Sequence, residues 1–311
     1  VDGKGIAGVE RFFDQRLREE PEPLRLSLDL RVQAAVREVL SAAIPDFNGI
    51  GGAGAVMDVR TGELLAMVSL PDYDAADVGT ATQEQRFNRV TVGVFEPGST
   101  FKLLTAAMAL DSGSVNLWGG YDASRPLRIG RFTINDFRGK HRWLSVPEII
   151  TYSSNIGAAQ MAMGVGPAGQ RAFMQRMGML SRVPVELPET ALPLVPSERS
   201  WKEASTLTIG FGQGIAVTPL HVVTGVTALV NGGILLRPTI LAPEPGAAPR
   251  HGTRVIRQET SETIRRLMRL VVTDGSAKES EVPGYFVGGK TGTAQKTAGG
   301  RGYVQNARVA A

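Results

Sequence analysis

The chain has 311 residues, 42% of them hydrophobic and 21% charged, with a formal net charge of +4, so it is long and apolar enough to bury a large core. It contains no cysteine, which excludes disulfides and thiolate metal sites while permitting an oxidising compartment. The densest basic stretch, Arg265, Arg266 and Arg269, has helical spacing and reads as a solvated helix face, so no nucleic-acid partner is expected.

In chain order, Asp29 can cap a helix running to about Ala43, because Val32, Val36, Val39 and Leu40 recur on one helical face. The stretch "GAGAVMDVRTGELLAMVSLP" predicts a strand over 53–59, a turn over 60–63 and a return strand over 64–69, hence an antiparallel hairpin. Residues 111–147 mix glycine, proline and isolated aromatics and predict an irregular excursion. The segment "SRVPVELPETALPLVPSERS" reads as loop with one short extended piece. Thr218 as cap and Pro219 in the first turn predict an apolar helix to about Val230. "LAPEPGAAPRHGT" reads as a surface loop, and residues 259–273 return to helix. No apolar run reaches the roughly 18 residues of a membrane span, and His141, His221 and His251 fit no ligand spacing, so no metal is expected.

"PGYFVGGKTGTAQK" admits two readings. Gly284, Gly289, Lys290 and Thr291 satisfy G-x-x-x-x-G-K-[ST], the phosphate loop. That loop needs a buried apolar strand before it and a helix starting at its Lys-Thr. Here "DGSAKESEVP" precedes it, too charged for such a strand, and the glycine-rich "GTAQKTAGGRGY" that follows opposes a helix. Tyr285, Phe286 and Val287 inside it favour strand. Asp58, at the end of "AVMD", could pass for a magnesium ligand, but its hairpin argues against a parallel nucleotide-binding sheet. The nucleotide reading fails on both flanks.

The other reading takes K-T-G as the third motif of a serine acyl-transfer enzyme, and it requires S-x-x-K and S-x-N upstream. "FEPGSTFKLLTAAMAL" supplies Ser99 and Lys102; "TYSSNIGAAQ" supplies Ser153, Ser154 and Asn155. Pro97 and Gly98 end the preceding segment, and the helix after Ser99 is apolar nearly all round, which implies burial. Ser99 then sits at the positive end of a buried helix, where developing negative charge is stabilised. Positions i and i+3 share a helix face, so the Lys102 amine can approach the Ser99 hydroxyl. As a base, Lys102 must lose its proton; burial and the cation Lys290 would both lower its pKa from the free value of about 10.4.

These ordered motifs, together with "GVERFFDQRL", "SLDLRVQ", "VMDVRTGELLAMVSLPDYD" and "GFGQGIAVTPL", resemble the transpeptidase domain of class B penicillin-binding proteins, most like the cell-division (septal, penicillin-binding protein 3) type, over nearly the whole chain. The resemblance implies the α+β serine β-lactamase/D,D-peptidase fold: an antiparallel sheet flanked by helices, a mainly helical lobe, and the active site between them. It implies a D,D-transpeptidase that crosslinks peptidoglycan stem peptides ending in D-Ala-D-Ala through a Ser99 acyl-enzyme and is inhibited by β-lactams.

By the same resemblance Lys102 activates Ser99, Ser153 relays a proton to the leaving amine, and Asn155 orients the donor amide. Lys290 with Thr291 or Thr293 holds the terminal carboxylate, and Gly292 lets the substrate backbone lie against its strand. The backbone N–H groups of Ser99 and Thr293 form the oxyanion hole. No metal or organic cofactor is needed. The implied setting is the periplasmic face of the inner membrane, anchored by an N-terminal segment outside this chain, with a membrane glycosyltransferase and division proteins as partners. Residues 1–26 read as the end of a linker from a pedestal region and 27–311 as the transpeptidase domain. The family pattern continues past "YVQNARVAA" with two strands and a helix; without those strands the K-T-G strand would have an unpaired edge. His221 stands where relatives carry Gln, which reads as a packing change.

Two alternatives are kept. A class A β-lactamase would add a Glu that activates water, and Glu189 in "PETALP" falls near that place, although its proline-rich segment favours a structural role. A non-catalytic β-lactam sensor or scaffold is the other.

Overall fold

A computed structural model describes residues 3–130, 132–244, 246, 248, 250–297 and 303–311; the predicted Pro/Gly/Ala loop loses residues 245, 247 and 249 to the part outside the described residues. The stretch expected as linker carries two short helices, α1 (Gly8–Phe12) and α2 (Asp14–Glu19). Val9 and Phe13 pack on a buried cluster that includes Leu64, Val90, Val185 and Leu220. The Gly8 N–H donates to the Glu189 carboxylate at 3.1 and 3.3 Å, so these residues are joined to the body by apolar contact and hydrogen bonds.

Helix α3 (Leu30–Asp46) is capped by Asp29, whose carboxylate accepts from the Arg31 N–H at 2.9 Å. It lies on the hairpin β1 (Gly52–Met57) and β2 (Leu64–Leu70), which pair antiparallel. Glycine in β1 makes that approach possible: a Cβ at Gly54 would stand 2.7 Å from a Val36 methyl and 3.1 Å from Leu40. In β2 the alternation is clean, with Leu64, Ala66, Val68 and Leu70 buried and the residues between them half-buried.

After α4 (Gln83–Arg86) the chain makes a 3-10 turn, Gly98–Phe101, that runs straight into α5 (Lys102–Ser112). The predicted irregular excursion contains four three-residue strands: β3 (Gly120–Asp122), β4 (Leu127–Ile129), β5 (Phe132–Ile134) and β6 (Trp143–Ser145). They pair as β3 with β6 and β4 with β5. Such strands are too short to show a period-two pattern. Next come α6 (Val146–Thr151), with a Ser145–Glu148 capping box, and α7 (Asn155–Arg176), broken at Gly166 and Pro167.

Residues 181–200 are mostly loop, with one extended bridge between Leu194 and Ala216. After α8 (Glu203–Ile209), helix α9 (Pro219–Val230) starts at its predicted Thr-Pro cap. His221 completes a capping box there: its Nδ1 lies 2.7 Å from the Thr218 hydroxyl and its Nε2 2.7 Å from the Ser181 carbonyl. The pair β7 (Ile234–Leu235) and β8 (Thr253–Arg254) leads to α10 (Gln258–Thr273), and β9 (Thr293–Thr297) and β10 (Tyr303–Ala310) close the described chain.

The strands are antiparallel throughout and form, among the described residues, five two-stranded pairs. β10 pairs with β9 along one edge, and among the described residues no strand pairs with its other edge. The larger apolar core is helical, built from α5, α6, α7, α9 and α10 around Phe101, Ile149, Met161, Phe173 and Val271. The smaller core lies under the β1–β2 hairpin. Among the described residues no helix is long and apolar enough to cross a membrane.

Candidate active site

The Ser99 turn is positioned by close backbone packing. Gly98 has φ +53°, and its N–H donates to the Gly212 carbonyl at 3.0 Å. A Cβ at Gly98 would lie 2.6 Å from the Thr293 carbonyl oxygen, and one at Gly212 would lie 1.9 Å from the Gly98 carbonyl oxygen. Only glycine allows these three segments to touch. "GFGQG" is therefore a structural turn beneath the serine, and Gly210 in it also accepts a hydrogen bond from the Thr105 hydroxyl at 2.8 Å.

Lys102, the first residue of α5, is 1% exposed. Its Nζ lies 2.9 Å from Ser99 Oγ, 3.0 Å from Ser153 Oγ, 2.7 Å from the Ser153 carbonyl oxygen and 2.7 Å from Asn155 Oδ1. A carbonyl and an amide oxygen can only accept. They engage both hydrogens of a neutral amine and leave its lone pair for a hydroxyl proton. Burial, and then the nearby Lys290 charge, pushes the Lys102 pKa well below its ordinary value, while the Asp136 carboxylate opposes that shift.

Ser153 takes φ +58°, a left-handed conformation rare outside glycine. Its carbonyl and hydroxyl thereby both meet Lys102, and its hydroxyl also receives Lys290 Nζ at 2.9 Å. Burial lowers the Lys290 pKa to about 8. Burial acts more strongly on Lys102, and the Lys290 charge adds to it, so of the two amines Lys290 is favoured to hold the proton.

The middle residue of S-x-N has work of its own. Ser154 caps α7 by accepting from the Gly157 N–H at 3.0 Å and donates to Asp136 Oδ2 at 2.7 Å. Asp136 also accepts from the backbone N–H groups of Asn155 and Ile156, and the Asn155 amide donates to the Asn135 carbonyl at 2.9 Å. Sequence reasoning missed Asp136. Its one signal was an acidic residue in a basic excursion, ahead of a helix whose first N–H groups need acceptors.

K-T-G stands just ahead of β9 rather than inside it, and Tyr285 and Phe286, expected to favour strand, are 73% and 99% exposed in a turn. No strand runs beside residues 285–287 among the described residues, so β propensity has nothing to pair with. Gly292 exchanges both backbone hydrogen bonds with Ala311. In an antiparallel ladder the next residue then turns its N–H and C=O to the opposite edge, which for Thr293 is the Gly98–Ser99 turn. The Ser99 N–H, in the first helical turn, has no intrahelical acceptor either.

The absence of a side chain at Gly292 serves a contact within the protein. A Cβ there would meet a Thr100 methyl at 2.9 Å and the Pro97 carbonyl oxygen at 3.0 Å, so that face of the residue packs on the serine turn. Thr291 Oγ1 lies 2.7 Å from Ser276 Oγ, and Thr291 and Thr293 are both exposed. Glu189, the residue a hydrolase would need, is engaged with Gly8.

The Ser99, Lys102, Ser153, Asn155 and Lys290 side chains thus form one hydrogen-bonded chain drawn from three distant segments. Comparison with known proteins agrees in fold and sequence. Residues 52–310 match the penicillin binding protein transpeptidase domain. The chain is 40% identical over 301 residues to a probable peptidoglycan D,D-transpeptidase FtsI of Caulobacter vibrioides, covering 94% of this chain and 51% of that protein. It is 29% identical to the peptidoglycan D,D-transpeptidase FtsI of Escherichia coli K12, covering 95% of this chain and 54% of that one. The chain therefore spans about half the length of these relatives. The solved transpeptidase domain of Burkholderia pseudomallei penicillin-binding protein 3 superposes with a TM-score of 0.82 at 32% identity, covering 92% of this chain and 82% of that one. With its motifs in order, its fold shared and most of its length matched, this chain belongs to the penicillin-binding protein transpeptidase family.

Proposed function

We propose that the chain is the catalytic domain of a peptidoglycan D,D-transpeptidase of the septal type. The observation that carries this reading is the position of Lys102 Nζ, within 3.0 Å of the hydroxyls of both Ser99 and Ser153. A neutral amine held there can take the Ser99 proton as the hydroxyl oxygen attacks the carbonyl of the penultimate D-alanine. Charge developing on that carbonyl oxygen is met by the N–H groups of Ser99 and Thr293, each worth about 3–4 kcal/mol in such sites. As the C–N bond breaks, Ser153 Oγ passes a proton from the amines beside it to the departing D-alanine, leaving an ester on Ser99. An acceptor amine then attacks that ester, a C–N bond replaces the C–O bond, and the proton returns to Ser99.

Lys290, with Thr291 or Thr293, holds the donor's terminal carboxylate, and Asn155 orients its amide. β-Lactams, whose amide lies beside a carboxylate, acylate Ser99 by the same steps. The FtsI names of the relatives support a place at the periplasmic face of the inner membrane, beside a glycan-polymerising glycosyltransferase and division proteins.

Intact-protein mass spectrometry after brief exposure to benzylpenicillin tests the reading. One long-lived penicilloyl adduct is expected, absent in Ser99→Ala. Rapid release of hydrolysed penicillin, or no adduct at all, would overturn it.

A further inference from the structure

The loop that follows Asp136 has no part in the chemistry above, yet it is built against the same turn. Among residues 121–145 the basic side chains are Arg125, Arg128, Arg131, Arg138, Lys140 and Arg142, against the acids Asp122 and Asp136 alone. Both acids are engaged locally, Asp122 by the Ser124 N–H and Asp136 by the start of α7. Arg142 is paired with Glu148 at 2.6 Å. Arg138 and Lys140 are exposed, and among the described residues neither makes an ion pair.

Two contacts bring this loop to the S-x-N turn. Asp136 is hydrogen-bonded to Asn155, and the Lys140 ammonium lies 4.5 Å from the ring centroid of Tyr152, the residue before Ser153. Phe137 and Trp143, which flank the two cations in sequence, are 88% and 49% exposed. K-T-G reaches the turn through a different residue, Ser153, by way of Lys290. One cation beside the serine is thus available to a donor carboxylate, and a second pair, set among aromatic faces, is left over.

We propose that the loop 137–143 is the acceptor subsite, recognising an amine-bearing peptide by its carboxylates through Arg138 and Lys140 and by its apolar parts through Phe137 and Trp143. The proposal rests on the acyl-transfer reading above. It supplies what a two-substrate reaction needs: the amine must approach the Ser99 ester from a site that the donor's own carboxylate clamp does not occupy. In the transfer the acceptor nitrogen bonds to the acyl carbon, the Ser99 oxygen leaves, and the ammonium-bound proton is lost to that oxygen through Lys102.

The test compares two acceptors on one acyl-enzyme, formed from a benzoyl-D-alanyl thioester. Acetyl-Glu-Lys carries two carboxylates, and acetyl-Gln-Lys-amide carries none. In Arg138→Gln/Lys140→Gln the ratio of aminolysis rates, charged over neutral acceptor, is expected to fall about tenfold, the scale of one charge-assisted contact. An unchanged ratio overturns the proposal. Binding of acetyl-Glu-Lys to Ser99→Ala, followed by Trp143 fluorescence, gives a readout that needs no acylation: affinity about tenfold weaker in the double variant is expected, and equal affinity overturns the subsite. If the thioester fails to acylate the wild-type protein, the acyl-transfer reading fails, while the binding result still decides the subsite.

Discussion

Lys102 Nζ and Ser99 Oγ lie 2.9 Å apart across a single turn, with the lysine 1% exposed. The turn is 3-10 up to Phe101 and α-helical from Lys102, and residues three apart in a 3-10 turn stand one above the other. Replacing Lys102 with Arg keeps a long nitrogen-bearing side chain but puts a permanent charge where a neutral amine is required and removes any basic lone pair near neutral pH. The second-order rate of β-lactam acylation is expected to fall by about 10²–10⁴-fold, measured by stopped-flow with a chromogenic cephalosporin. A loss below tenfold would mean that Lys102 is not the base.

The pH profile of that rate follows from the two lysines. Lys102 acts when neutral, so the rate rises with pH as its lowered pKa is passed. Lys290 acts when charged, so the rate falls as pH rises through about 8. Because the second-order constant reports the free enzyme, the alkaline limb is expected near that value. Lys290→Arg, permanently charged, should carry the limb out of the measured range.

Asp136 offers a test that separates structure from electrostatics. Its carboxylate accepts from Ser154, Asn155 and Ile156, and Asn can satisfy only part of that set. Asp136→Asn is expected to cost about 1.5–3 kcal/mol of stability, read by denaturant unfolding. The carboxylate also favours the charged form of Lys102, so its removal lowers the lysine pKa. The acid limb of the acylation profile then moves to lower pH, a shift that simple loosening of the loop would not produce.

Gly212→Ala probes the support beneath the serine. Its φ of +84° and the 1.9 Å approach of a Cβ to the Gly98 carbonyl oxygen leave no room for a methyl group. Strain and overpacking together should destabilise the protein by about 2–4 kcal/mol. Acylation in the folded fraction should drop as well, because Gly98 would be pushed toward Thr293. Thermal unfolding and penicillin labelling, run on the same sample, check both.

Much of this was legible along the chain because it depends on local spacing. The i,i+3 relation of Ser99 to Lys102, the Asp29 and Thr218 caps and the β1–β2 hairpin are each set within about two turns of helix or one β-turn. The four three-residue strands after α5 were not legible, since pairs that short are stabilised by their neighbours and leave no pattern. Tyr285, Phe286 and Val287 read as strand by propensity, yet β9 begins only at Thr293, where a pairing partner lies alongside.

From the sequence alone came the residue types the chemistry requires, their order, and the family they resemble. Tertiary structure decided which groups share a proton and which share a wall. The left-handed turn at Ser153, the Asp136 carboxylate at the start of α7, the Gly98–Gly212–Thr293 contact and the Lys140–Tyr152 pair each join residues distant in the chain or depend on such a joining. Sequence periodicity reports only the face an element buries, whereas these contacts arise from which faces meet once the core has closed.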